Sequence, residues 1–339
     1  MSAFDKIIGY EDVKTELMRF CDVLKDPERY RKLGVKIPRG IVLEGRPGVG
    51  KTMMSKCFIE ESGCKAYVIR KDKPNGEFVN DIRSTFEKAK KDGKAIVFLD
   101  DMDKFANEDE RHTDAEEYVT VQACIDDCRD KDVFVLATIN YHNCLPDSLI
   151  RPGRFDKNIY IPEPRGEDAK KIINYYIKQK KVMEDIDIGL LSRLMEGKTC
   201  ATLETVINEA GIYAGYDKRE SINQSDMIRA SMRSFFDAPE AAEDGGEKSI
   251  RGVAIHEAGH AVVGEIMKAE SVSLVSVRRY YGPIEGVTVY HGDEDFRVTK
   301  EECDQDLIRL LGGKAATEIV LGKVDIGSVR DLNNAFNLL

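Results

Sequence analysis

Three short apolar runs stand out in the first half of the chain: Ile41–Glu44, Ala95–Leu99 and Asp132–Ile139. Each is rich in β-branched residues and stops at a polar or glycine position, the pattern of strands buried on both faces of a parallel sheet. Met53–Glu61, just after the first run, reads as a helix. From Asp168 onward the period changes. Asp168–Lys180, Ala201–Tyr213 and Gly252–Met267 place apolar residues at helical spacing, and Gly286–Tyr290 is strand-like. Asp237–Lys248 is rich in Ala, Glu, Asp and Gly and reads as a linker. The pattern predicts an α/β domain over residues 1–163, a helical lid over 164–236, a linker over 237–248 and a mainly α domain over 249–339.

No apolar run approaches the length of a membrane span, and Met1–Asp5 is not a signal peptide. The 339 residues are 42% hydrophobic and 33% charged, enough for two or three domains with cores. A net charge of −10 gives no hint of a nucleic-acid-binding face. The eight cysteines form no Cys-x-x-Cys pair, and Cys124 and Cys128 read as packing thiols, which points to a reducing cytoplasm.

The chemistry lies where these elements end. Gly45-Arg46-Pro47-Gly48-Val49-Gly50-Lys51-Thr52 follows the first strand, and Met53 opens the next helix. In a P-loop of this spacing, backbone N–H groups and the helix N-terminus cradle phosphates. Lys51 then neutralises the outer phosphates and Thr52 ligates magnesium. The second strand ends in Asp100-Asp101, the Walker B arrangement: Asp100 is expected to hold magnesium through water, Asp101 to orient the attacking water. The third strand ends at Asn140 and is followed by Arg151-Pro152-Gly153-Arg154-Phe155-Asp156.

A second constellation lies far downstream. In His256-Glu257-Ala258-Gly259-His260 the two histidines are four apart on a predicted helix, so both imidazoles face one way and can share a zinc ion. Glu257 is placed as general base for a zinc-bound water. The residues alone leave the third ligand open. His291 follows the strand-like stretch, whereas Asp331 also reads as a helix-capping partner of Ser328, much as Glu302 does of Thr299.

The order of these features resembles the FtsH-type AAA+ zinc metalloproteases. Lys32–Gly40, the P-loop, the Arg151–Asp156 run and His256–His260 all fit that family, and the resemblance covers nearly the whole chain. It implies a P-loop AAA+ α/β domain with a helical lid and a mainly α zinc-metallopeptidase domain. It also implies ATP, Mg2+ and Zn2+ as cofactors, and unfolded or tagged proteins as substrates. By the same resemblance Asn140 matches the polar sensor, and Asp331 rather than His291 is the third zinc ligand. Arg151 and Arg154 match arginines that reach a neighbour's nucleotide, so the ATP site would be completed in a homo-oligomeric ring, expected to be a hexamer. The runner-up reading is a non-proteolytic AAA+ remodelling or regulatory ATPase with a structural or residual zinc site.

Four departures qualify the resemblance. The family has Asp-Glu where this chain has Asp100-Asp101, a carboxylate withdrawn by one methylene, which implies slow hydrolysis. Lys73-Pro74-Asn75-Gly76 falls where the family carries an aromatic pore loop, and neither Tyr67 nor Phe78 matches that motif. No membrane anchor precedes the first domain, so a cytoplasmic location is expected. The chain ends at Leu339, where the family's peptidase domain continues with further helices.

Overall fold

The computed structural model describes residues 2–106, 115–180, 185–236, 247–277, 286–290, 299–322 and 328–338. The chain divides into two compact units. The first is Met1–Pro164 with Lys198–Thr202, and the second is Arg165–Gly197 with Leu203–Leu339.

The first unit opens with helices α1 (Glu11–Lys25) and α2 (Pro27–Lys32) and then alternates strand and helix: β1 (Gly40–Glu44), α3 (Lys51–Ser62), β2 (Lys65–Ile69), α4 (Asn75–Asp92), β3 (Ala95–Leu99), α5 (Glu116–Asp127), β4 (Val133–Ile139) and β5 (Lys157–Tyr160). The five strands form one parallel sheet in the order β2-β3-β4-β1-β5. Every residue of β3 and β4 is buried, whereas most positions of the edge strands β2 and β5 are exposed or half-buried. The long apolar runs therefore became the central strands, because only strands covered on both faces gain from unbroken hydrophobicity. Phe78, Ile82 and Phe86 of α4 and Val121 and Ile125 of α5 join one core with β3 and β4.

Register decides what this sheet can do. Leu99 pairs with Ala137 and Glu44 with Ile139, so β1, β3 and β4 all end on the same side. The P-loop, Asp100-Asp101 and Asn140 leave those three ends together, at the carboxyl edge where open α/β sheets bind ligands.

The second unit begins with α6 (Gly166–Lys178) and α7 (Ile188–Leu194). It continues with most of α8 (Cys200–Tyr216), α9 (Gln224–Phe236), α10 (Glu247–Met267), the antiparallel pair β6 (Val272–Ser276) and β7 (Val287–Tyr290), α11 (Lys300–Leu321) and α12 (Val329–Leu338). Met232 of α9 packs with Leu274 and Val287 of the hairpin strands. The expected linker gives way to helix at Glu247, and its residues 237–246 lie outside the described residues. Thr299 and Glu302 form the capping box the sequence predicts at the start of α11. Among the described residues no helix is long and apolar enough to cross a membrane.

Helices α10 and α11 approach backbone to backbone. A Cβ on Gly312 would lie 2.8 Å from the Gly259 carbonyl oxygen, and one on Gly259 would overlap Gly312 and Ala316. Glycine at both positions lets the helices pack far closer than ordinary side chains permit. The cost in helix propensity, about 1 kcal/mol per glycine, is repaid by that contact.

Candidate functional site

The sequence motifs collect into two sites, one in each unit. In the first, Gly48 and Gly50 have φ of +87° and +103°, left-handed backbone that lets the loop curl before α3. Gly48 also accepts a backbone hydrogen bond from Ala201 at 3.0 Å, so the first turn of α8 closes over the loop. Val49 is buried, and Met53 is exposed one turn into the helix. The Lys51 Nζ donates to the carbonyls of Gly45 at 2.6 Å and Arg46 at 3.1 Å, and to Asn140 Oδ1 at 3.0 Å. Burial pushes the Lys51 pKa down, with Asp101 and Asp103 opposing.

The acids after β3 diverge. Asp100 is buried, and its Oδ1 accepts from Thr138 at 3.0 Å and Thr52 at 3.2 Å. Asp101 takes a left-handed backbone, φ +53°, and turns its carboxylate outward onto Lys104 at 2.7 Å. Its backbone N–H donates to Thr138 Oγ1 at 2.8 Å, so Thr138 fixes both acids. Asn140 Nδ2 donates to Asp103 Oδ2 at 2.6 Å. Asp103, which the motif reading missed, thereby joins the chain Lys51–Asn140–Asp103. The two arginines part as well. Arg154 forks onto Asp126 at 2.8 and 3.2 Å and also donates to the Ser148 carbonyl, while Arg151 is exposed. In the isolated chain Arg154 is tied to its own subunit.

Of Lys73-Pro74-Asn75-Gly76, the last two residues open α4 and Pro74 precedes it as N-cap, with no aromatic among the four. Phe78 is fully buried, edge-on to Phe105 at 4.9 Å, and the Tyr67 hydroxyl donates to Asp92.

The second site is built on α10. His256 and His260 project from one face, and α12 brings Asp331 against them. His256 Nε2 lies 3.1 Å from both His260 Nε2 and Asp331 Oδ2, and His260 Nε2 lies 3.4 Å from the same Oδ2. These are close to the edges of a tetrahedron around zinc, about 3.3 Å for bonds of about 2.0–2.1 Å. His260 Nδ1 donates to the Arg309 carbonyl at 2.9 Å, which orients the ring with Nε2 toward His256 and Asp331. Two imidazole nitrogens and a carboxylate oxygen thus converge, a donor set suited to a divalent cation. Burial works against the Asp331 carboxylate, but hydrogen bonds with His256 and His260 outweigh it and hold its pKa down to about 2. Among the described residues the buried Ser328 Oγ has no hydrogen-bond partner, and the Asp331 side chain goes to the imidazoles. The helix-capping alternative for Asp331 is therefore not what this fold uses. His291, the other ligand candidate, lies outside the described residues.

Glu257 is buried beside this cluster, and burial pushes its pKa up. Strand β7 frames it. Thr288 Oγ1 donates to Glu257 Oε2 at 2.7 Å, and Gly286 leaves no room for a Cβ, which would lie 2.8 Å from Glu257 Oε1. The Tyr290 hydroxyl donates to the His260 carbonyl at 2.7 Å, and the Arg309 guanidinium lies over the Tyr290 ring at 4.2 Å. Gly313 faces the imidazoles directly: a Cβ there would lie 2.5 Å from His260 Nε2. Sequence reasoning missed Thr288, Tyr290 and Gly313. Of these only Gly312-Gly313, inside an otherwise helical stretch, carried a readable signal of close packing.

Residues 41–163 match the ATPase family associated with various cellular activities (AAA), and residues 245–339 match peptidase family M41. Both matched segments contain the sites just described. The chain joins an AAA segment to an M41 segment and is similar over nearly its whole length to FtsH-type AAA+ zinc metalloproteases. Among its relatives, the ATP-dependent zinc metalloprotease FtsH 2 of Sphaerobacter thermophilus is 34% identical over 97% of this chain and 52% of its own length. FtsH 4 of Synechocystis sp. is 32% identical over 99% of this chain and 56% of its own length. FtsH of Streptococcus pneumoniae serotype 4 is 31% identical over 98% and 53%. The chain spans about half the length of the curated relatives it matches. This chain folds as an AAA-type parallel α/β sheet followed by a mainly helical M41 region, as the sequence predicts.

Proposed function

We propose that the chain is an ATP-dependent zinc endopeptidase acting on unfolded or tagged proteins. The convergence of His256, His260 and Asp331 beside the buried Glu257, in a chain that also carries a complete P-loop, supports this reading above all. Similarity to ATP-dependent zinc metalloproteases supports it too.

In this reading residues 1–163 bind nucleotide, 164–236 form the lid, 237–248 the linker and 249–339 the peptidase domain. Gly45, Pro47, Gly48, Val49, Gly50 and Met53 shape the phosphate cradle, and Lys51 trades its carbonyl partners for phosphate oxygens. Thr52 and Asp100 would hold Mg2+, which would neutralise charge on the phosphates. Asn140 and Asp101 orient the attacking water. Asp101 must turn from Lys104 to do so, a small barrier for an exposed ion pair. Arg151 reaches a neighbour's phosphate, and Arg154 does so on leaving Asp126, in a ring that we propose is hexameric. Zn2+ held by His256, His260 and Asp331 would supply a Lewis acid that lowers the pKa of water. Glu257, its Oε2 held by Thr288, takes up the proton at a site where burial favours the neutral carboxyl. The substrate is protein rather than nucleic acid, and the location proposed is the cytoplasm, which eight free cysteines support.

The test is casein degradation with and without ATP, with and without a zinc chelator, and with Glu257→Gln. Cleavage lost in all three controls is expected. ATP turnover with no cleavage under any condition would replace this reading with a non-proteolytic remodeller.

A further inference from the structure

Asp100 has a charge partner that no motif supplies. The β2–β3 register runs Ile69 against Leu99, and the Asp100 N–H continues it by donating to the Ile69 carbonyl at 3.0 Å. The residue just past the edge strand, Arg70, is thereby carried alongside Asp100. Its Nε lies 2.8 Å and its Nη2 2.6 Å from Asp100 Oδ2. The acid's side chain is 7% exposed and the arginine's 57%, so the guanidinium reaches a buried carboxylate from the solvent side.

We propose that Arg70 and magnesium compete for Asp100, so that Arg70 sets the metal dependence of nucleotide binding. The inference rests on the nucleotide reading above. A carboxylate this buried is costly to leave unpaired, and Arg70 is the cation found on it. The oxygens are divided. Oδ1 is taken by the hydroxyls of Thr138 and Thr52, and Oδ2 by both arms of Arg70. Of the described acids that follow it, Asp101 pairs with Lys104, and Asp103 Oδ2 accepts from Asn140. A divalent cation arriving beside Thr52, through water or directly, must draw on Asp100 and meets a positive charge already there. The two cations therefore oppose each other at one carboxylate. Linkage makes the effect reciprocal: whatever Arg70 contributes to the metal-free site is subtracted from magnesium affinity.

Arg70 is a positioning residue in this scheme, acting through Asp100. It works before any chemistry, so the experiment reads binding alone. A fluorescent ADP analogue (mant-ADP) is titrated onto the full chain, in metal-stripped buffer, across a series of MgCl2 concentrations. Wild type is compared with Arg70→Met, which keeps an aliphatic stem, and Arg70→Lys, which keeps the charge without the fork. Circular dichroism checks that each variant is folded. The expected result is a magnesium midpoint lowered about 10-fold or more in Arg70→Met, within the range of ordinary coupling between sites. Arg70→Lys is expected to fall between. Equal magnesium midpoints in wild type and Arg70→Met, with mant-ADP binding intact, overturn the competition. Loss of mant-ADP binding in Arg70→Met alone overturns it too, since Arg70 then serves the nucleotide. Absence of binding in wild type at every magnesium concentration overturns the nucleotide reading itself.

Discussion

Gly313→Ala adds a single methyl group at the peptidase-type site, and its two physical effects have opposite signs. Alanine is the better helix former by about 1 kcal/mol, so on propensity alone the substitution in α11 stabilises. The new Cβ, however, would lie 2.5 Å from His260 Nε2 and 2.6 and 2.7 Å from His256 Cε1 and Nε2, where 3.4 Å marks ordinary contact. Relief requires movement of about 0.7–0.9 Å by rings or helix, for dispersion wells that are already lost at much smaller overlaps. Neither side moves freely. The His260 Nδ1 hydrogen bond to Arg309 ties the ring to α11, and the Gly259–Gly312 approach fixes the helix spacing. Overpacking of this kind costs about 1–3 kcal/mol, so the net effect on stability is near zero to modestly negative. The effect on the metal site is larger, because ligand atoms now spaced 3.1–3.4 Å apart must spread or rotate. We expect zinc affinity, measured by competition with a chromophoric chelator, to fall about 100-fold, the upper range for disturbed ligand support. Binding of nucleotide in the first unit should be unchanged. A Gly313→Ala protein that keeps zinc within about threefold of wild type refutes the steric reasoning, whatever its melting temperature.

Two further outcomes follow from contacts already described. Thr288→Val removes the hydroxyl on Glu257 Oε2, a hydrogen bond to a charged group worth about 1.5–3 kcal/mol. We expect casein-cleavage kcat to fall about 10- to 100-fold with zinc content and KM unchanged, and Thr288→Ser to recover most of it; a serine variant as impaired as valine sinks the positioning role. Glu61 of α3 accepts from Lys25, the Ala3 N–H and the Ser2 hydroxyl, which together hold its pKa down to about 2 from 4.5. Its folded pKa is depressed, so its stabilisation is complete above pH 4.5 and is lost as pH falls toward 2. Discounted for the exposed Lys25, Glu61→Gln should cost about 1–2 kcal/mol at pH 7. That gap, read from urea midpoints, should narrow by pH 3; a gap that stays constant with pH assigns the loss to something other than charge.

What the sequence determined by itself was local and periodic. Unbroken apolar runs became the central strands β3 and β4, because a fully covered strand has no solvent face to keep polar. Glycines at 48 and 50 allow the left-handed backbone that curls the loop before α3, and an i,i+4 histidine pair on a helix must share a face. What only the tertiary structure decided depends on contacts between segments far apart in sequence. No spacing rule links residue 331 to residue 256; α12 docking on α11 and α10 chose Asp331 over a helix cap. Thr288 on Glu257, Tyr290 on His260 and Gly313 beneath both imidazoles depend on how β7 and α11 pack onto α10. Arg70 meets Asp100 because parallel register carries β2 one residue past Leu99. Motifs name the groups that can do chemistry, since those groups need particular side chains. The partners that orient them are met through packing, which many sequences can satisfy and no short pattern records.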